Sequence, residues 1–384
     1  MKKFIIIFFA FLFALTSCHF KNFDNDFPDY EGGTSAYFPY QFPVRTIVLG
    51  DYVFDNSNDL EHKFVISAGM GGVYENKVDR KFTVTVDETL CNDNIRFSSG
   101  GDIIRPLPSN YYSLSSTELV IPKGKMNGGI VVQLTDAFFN DPDAIKRTYV
   151  VPLRLSNPNN AVDRMLTGTP LGSVQNADPR IVSQWSVAPK DFTMFGVKYV
   201  NEYYGTYLYY GSSILKDKKG NVIEENQYKT RYVELNDLVD FFTTGRYQAV
   251  SRPLFFRANL PKSYRLVLDF DKNNKCVVSG TEIYTREIDN PDFDSTQKED
   301  PITNPKKITV TTTYVVSGTG DFVTEKAGSY AGWSDKDRNV INVKYTVNVD
   351  SDDPEFNTDW VYSAEEHFAI RNRDIQVEVY SPRL

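Results

Sequence analysis

Three tryptophans, Trp185, Trp333 and Trp360, and the cluster Tyr203, Tyr204, Tyr207, Tyr209 and Tyr210 are the side chains of this sequence best suited to recognition chemistry. A flat aromatic face stacks on the C–H groups of a sugar ring while planar polar neighbours bond its hydroxyls, and no reactive group is needed. Trp333 lies in Tyr330-Ala331-Gly332-Trp333-Ser334-Asp335, a polar loop context, and Trp360 follows an acidic loop, so these two lead the candidates. In residues 205–210, strand alternation places Tyr207 and Tyr209 on one face and Leu208 and Tyr210 on the other, and one face must be core. Tyr207 and Tyr209 complete the candidate ligand-binding set.

Catalytic chemistry is less legible. A glycosidase needs two carboxylates roughly 5 to 9.5 Å apart across a cleft, and the 50 Asp and Glu residues single out no pair. Glu365-Glu366 is adjacent in sequence only, because strand neighbours point to opposite faces, and it reads as a solvated pair. No Gly-x-Ser-x-Gly elbow, His-Glu-x-x-His helix or Walker-type loop occurs, and Gly69-Met70-Gly71-Gly72 lacks the Lys-Ser/Thr that a phosphate loop requires. Asp269-x-Asp271-x-Asn273 copies the first half of a calcium loop. Its sixth position is Asn274 where Gly is wanted and its twelfth is Gly280 where an acid is wanted, so a solvated hairpin is the better reading. His19, His62 and His367 stand far apart, without zinc-ligand spacing. No catalytic residue, metal or cofactor is assigned.

The positioning elements follow from composition and pattern. Aromatics make up 14% of the 384 residues, with 24 Tyr and 27 Phe, which favours strands. A formal net charge of −8 without clustered Lys and Arg argues against nucleic acid. Cys91 and Cys276 lie in different halves and read as small buried residues, not a disulfide framework. In residues 36–157, short apolar runs at 42–49, 63–66, 81–86, 111–114, 118–121, 130–134 and 149–155 suggest an immunoglobulin-like β-sandwich. Asp141-Pro142 begins one short helical turn within it. Residues 158–190, rich in Asn, Pro, Gly and Ser, read as a linker or a strap. Residues 191–384 return to longer strands, starting with 192–200 and 205–210, which favour a closed antiparallel barrel. Leu235, Leu238, Val239 and Phe242 repeat at helical spacing and predict an amphipathic helix before Gly245. The acidic stretch 287–305 is too polar for core.

The chain opens Met1-Lys2-Lys3, continues without charge from Phe4 to Ala14, and reaches Leu15-Thr16-Ser17-Cys18. This apolar run of roughly 11 residues is short of the roughly 20 that a helix needs to cross a bilayer, so residues 1–17 read as a signal peptide. Leu-Thr-Ser-Cys resembles the bacterial lipobox, which implies lipidation of Cys18 and a membrane anchor, with residues 18–35 as a polar tether.

With the lipobox and both blocks in place, the chain resembles the two-domain surface lipoproteins encoded beside SusC/SusD-like glycan-uptake systems. Tyr111-Tyr112-Ser113-Leu114, Leu119-Val120-Ile121-Pro122-Lys123-Gly124, Val131-Val132-Gln133-Leu134 and Tyr149-Val150-Val151-Pro152-Leu153-Arg154-Leu155 look like the N-terminal domain of those proteins. Phe195-Gly196-Val197-Lys198-Tyr199-Val200-Asn201, Gly205-Thr206-Tyr207 and Gly318-Thr319-Gly320-Asp321-Phe322 resemble their lipocalin-like C-terminal domain. The resemblance implies display at the outer membrane, on the cell surface, beside an uptake complex. It implies no reaction. The expectation is an all-β protein, an immunoglobulin-like sandwich followed by a lipocalin-like antiparallel barrel, that binds an oligo- or polysaccharide without catalysis. The alternative is a structural or adhesive envelope protein contacting another protein or a host surface.

Overall fold

The computed structural model describes residues 29–260, 262–324, 330–332, 338–354 and 360–384. Cys18 and Trp333 lie outside the described residues. The architecture is all-β, with a two-sheet sandwich and a closed barrel.

One sandwich sheet has five strands, in the order Arg164–Met165, Ser35–Tyr37, Lys63–Gly71, Asn127–Leu134 and Tyr112–Leu114. The other runs Glu378–Val379, Pro43–Val48, Phe192–Val200, Tyr149–Ser156, Arg80–Val86 and Glu118–Ile121, with Arg105–Pro106 paired to Tyr149–Ser156 off this path. Phe64, Ile66 and Ala68 of the first sheet share one core with Phe82, Val84, Val151 and Leu153 of the second. Burying each of the larger of these side chains contributes roughly 1.5–3 kcal/mol. Asp141 begins a short 3₁₀ turn, Pro142–Ile145, and its carboxylate accepts the Asp143 N–H at 2.8 Å, as the Asp-Pro pair predicted.

The barrel closes through eight strands: Gly205–Asp217, Asp237–Gly245, Gln248–Ser251, Val267–Phe270, Lys275–Asp289, Lys307–Val323, Val340–Ser351 and Trp360–Asn372. The last returns to the first, with Tyr209 opposite Phe368 and Asp217 opposite Trp360. A ninth strand, Val222–Tyr228, occupies the edge of Gly205–Asp217 beyond the part paired with Asp237–Gly245. Closure pairs every barrel strand on both sides over at least part of its length. Val340–Ser351 shows the sequence logic: Ile341, Val343, Tyr345, Val347 and Val349 point inward and are buried, while the residues between them face out.

Three expectations are corrected. Phe192–Val200 is not the first barrel strand; it lies inside the sandwich sheet, parallel to Pro43–Val48 and antiparallel to Tyr149–Ser156. Glu378–Val379 also pairs with Pro43–Val48, so the barrel is inserted between two sandwich strands and the chain crosses the junction twice. The region 235–242 is not a helix. Asp237–Gly245 is a strand whose Val239 and Phe241 fill the barrel while Leu238 and Phe242 face out, because two neighbouring strands supply a hydrogen-bond ladder on both edges. Residues 18–35 are not tether throughout: Thr34 donates through N and Oγ1 to Asp163 at 2.6 and 2.7 Å, and Ser35 starts a strand.

Residues 158–190 form a strap. Arg164–Met165 joins the first sheet, and buried Arg180 binds Asp178, Asp93 and the carbonyls of Leu90 and Asn92 on the sandwich. At the junction the buried Arg373 guanidinium donates to the carbonyls of Asp51, Asn201, Glu202 and Tyr204 at 2.6 to 3.1 Å. Gly205 follows at φ 153, where a Cβ would come within 2.8 Å of the Asn372 carbonyl oxygen.

Candidate functional site

At the junction end of the barrel, the strands Gly205–Asp217 and Asp237–Gly245 and the segment 252–257 enclose an open cleft of about 750 Å3. Its floor is polar and paired. Arg252 Nη2 meets Asp240 Oδ2 at 2.7 Å, and the other oxygen of Asp240 accepts the Thr206 hydroxyl at 2.6 Å. The Arg257 guanidinium bonds the Asp237 carboxylate and the Tyr209 hydroxyl, and its carbon stands 4.8 Å from the Tyr209 ring centroid. Burial works against the Arg257 charge, and Asp237 with Tyr209 more than offsets it. Each arginine thus presents a fixed planar fork with a carboxylate beside it, a donor and acceptor array for hydroxyl groups.

One wall is aromatic. Leu254–Phe255 pairs with Ser263–Tyr264, and alternation sends Leu254 into the barrel and Phe255 outward, 71% exposed over the cleft. The opposite wall is Arg371, Asn372 and Asp374, where the last barrel strand leaves for the sandwich.

Behind the cleft, the barrel interior holds a carboxylate. Glu366 sits in the inward row with Tyr362, Ala364 and Phe368 and is 1% exposed. Tyr228 donates to one of its oxygens at 2.6 Å and Tyr345 to the other at 2.8 Å, and the Tyr264 and Tyr345 hydroxyls lie 2.7 Å apart. Burial raises the Glu366 pKa, while the two tyrosine hydrogen bonds pull it down in part. The expectation of a solvated Glu365-Glu366 pair is therefore half corrected: Glu365 is exposed, but Glu366 takes its place in the core because tyrosine hydroxyls replace its water. Both its oxygens are occupied and sealed from solvent.

Of the sequence candidates, Tyr209 reaches the cleft. Its ring stacks on Phe368 with centroids 5.9 Å apart. Tyr207 shares the inward face, as alternation required, but it is completely buried against Phe241 and spends its hydroxyl on the Tyr203 carbonyl at 2.8 Å. A residue so enclosed offers a ligand no surface. Trp360 is half-buried against the barrel core, eight positions along the ladder from Tyr209, roughly 26 Å away at the strand rise. Trp185 belongs to the strap, where its Nε1 donates to the Asp178 carbonyl at 2.7 Å. The Asp269–Asn273 segment is a self-capped hairpin turn, with Asp271 accepting the N–H groups of Asn273 and Lys275. Among the described residues, no group of three or more His, Cys, Asp or Glu is arranged to hold a metal ion, and no helix is long and apolar enough to cross a membrane. Sequence reasoning missed Arg252, Phe255 and Arg257; the signal was Arg252-Pro253-Leu254-Phe255-Phe256-Arg257, aromatics bracketed by arginines.

A family model for an N-terminal domain matches residues 30–162, the greater part of the sandwich. A solved structure similar to this chain over nearly its whole length is informative. It is a Bacteroides ovatus protein of unknown function, 29% identical, covering 92% of this chain and 99% of its own with a TM-score of 0.73. An auxiliary nutrient binding protein from Bacteroides thetaiotaomicron covers 85% of this chain and 90% of its own, but at 12% identity and a TM-score of 0.30 that likeness carries no argument. No curated protein matches.

Proposed function

We propose that this chain is a non-catalytic glycan-binding lipoprotein of the outer membrane surface, anchored through Cys18 and acting beside a SusC/SusD-like uptake system. In this reading the sandwich is immunoglobulin-like, the barrel is lipocalin-like, and the junction-end cleft takes the sugar. The observation that carries the reading is an open cleft lined by the exposed Phe255 and by two arginine–aspartate pairs. An apolar platform with a few fixed polar groups is what a hydroxyl-rich ring requires. The arginines are held by their aspartates and by Tyr209, so little ordering entropy remains to be lost on binding. Non-catalytic action is supported by the engagement of two of the three cleft aspartates, Asp237 and Asp240, by arginines and by the sealing of Glu366. Lipid anchoring is enough to concentrate a captured glycan near its neighbours.

Affinity electrophoresis of the mature chain against a panel of polysaccharides tests the reading. Retardation by at least one polysaccharide is expected, reduced about tenfold in apparent affinity by Phe255→Ala, with no reducing sugar released during the run. Retardation by none of the panel overturns it and leaves the adhesive reading. Release of reducing ends would show a hydrolase.

A further inference from the structure

The junction-end cleft is not isolated. A second cleft of about 570 Å3 lies on the other side of the strand end, between the sandwich loop carrying Asp51, Tyr52 and Phe54 and residues 370–375. Arg371, Asn372 and Asp374 line both. Each cleft falls within the roughly 300–1,000 Å3 that ordinarily buries one small ligand. Together they form a path over the sandwich–barrel junction with an exposed aromatic ring in each half, Phe255 in one and Phe54, 69% exposed, in the other. The Phe54 ring is set edge-on by Tyr52, with centroids 5.6 Å apart.

The shared wall, with Arg371 and Asp374, differs from the rest of the path in how its charges are paired. Arg252 and Arg257 are each matched by an aspartate, whereas no carboxylate or carbonyl among the described residues pairs with the exposed Arg371 guanidinium. Beneath it, Arg373 is a buried cation bonded to four carbonyls and to no carboxylate. Arg371 and Arg373 line the second cleft together with the carboxylates of Asp51 and Asp374. The exposed Arg371 fork, with no internal carboxylate on it, can take one from a ligand.

Resting on the glycan-binding reading above, we propose that the occupant is an extended, uronate-bearing polysaccharide laid through both clefts, with one sugar carboxylate on Arg371. The guanidinium fork matches a carboxylate bidentately, and the two aromatic rings support sugar residues on either side of it. Neither cleft alone holds the chain. Affinity therefore grows with length until both are filled.

Titration calorimetry of the mature chain with oligogalacturonates of two, four and eight residues, and with cello-oligosaccharides of the same lengths, tests this. Affinity in the acidic series should rise about tenfold or more with length as the second cleft engages, above the neutral series throughout. Arg371→Ala should weaken the acidic octamer about tenfold and the neutral octamer clearly less, and Phe54→Ala should weaken the octamer but not the dimer. Length-independent binding, equal affinity for neutral chains, or indifference to both exposed-site substitutions overturns the proposal. If acidic chains fail while a neutral polysaccharide still retards the protein in gels, this inference falls and the glycan-binding reading stands; if nothing retards it, both fall.

Discussion

Arg373 Nη2 donates to the carbonyl of Glu202 at 2.6 Å, joining the segment that leaves the sandwich to the segment that returns from the barrel. The same guanidinium reaches Asp51 in the sandwich loop and Asn201 and Tyr204 in the outgoing chain. One side chain thus satisfies four carbonyls where two bodies meet. Arg373→Ala should cost about 3 kcal/mol or more, because it leaves several acceptors dry. Arg373→Lys should recover only part, since a lysine lacks the planar fork. Urea unfolding of both variants checks this, and the alanine variant should also separate into two transitions as sandwich and barrel uncouple. An unchanged midpoint would show that the junction is held by other contacts.

Glu366 gives a pH dependence of definite sign. Burial raises its folded pKa above the ordinary 4.5, with the Tyr228 and Tyr345 hydrogen bonds opposing. Between those two values the folded chain holds a proton that the unfolded chain has lost. Stability therefore falls as pH rises from 4.5 through the folded value. Glu366→Gln should remove this slope and be at least as stable as the parent near neutrality. Urea midpoints across the pH range decide the matter, and a variant with the parental slope would assign it to another group.

Cys91 and Cys276 are buried in separate clusters, and burial pushes each thiol up to about 12. Since the thiolate is the nucleophile, neither should react with iodoacetamide in the folded protein at mildly alkaline pH, and both should react in urea. Mass spectrometry counts the adducts. Rapid labelling of either thiol without denaturant would show that its cluster opens.

The proposed anchor has its own test. Cys18→Ala, expressed in a bacterium that processes lipoproteins, should move the protein from the membrane fraction to the soluble exported fraction, since the acyl chains supply the attachment. Continued sedimentation with membranes would place the attachment elsewhere.

The sequence by itself determined several strands that turn one face to the core. Glu118–Ile121 and Phe192–Val200 run to the residues that their apolar patterns marked, and Asp141-Pro142 carried its own cap. These signals are local: side-chain alternation and a short-range hydrogen bond. Tertiary structure alone decided which strand pairs with which. Phe192–Val200 has the same alternating pattern in either body, and only its ladders to Pro43–Val48 and Tyr149–Ser156 place it in the sandwich. The residues Leu235, Leu238, Val239 and Phe242 fit a helix by spacing, yet a barrel strand covers 237–245 because its backbone groups are satisfied by Gly205–Asp217 on one edge and Gln248–Ser251 on the other. The cleft belongs to the same class: Asp240, the pair Phe255 and Arg257, and Arg371 come from three separate segments. A hydrogen bond between strands, like a contact across a cleft, joins residues whose separation along the chain leaves no periodicity to read, so those relations appear only once the sheet has closed.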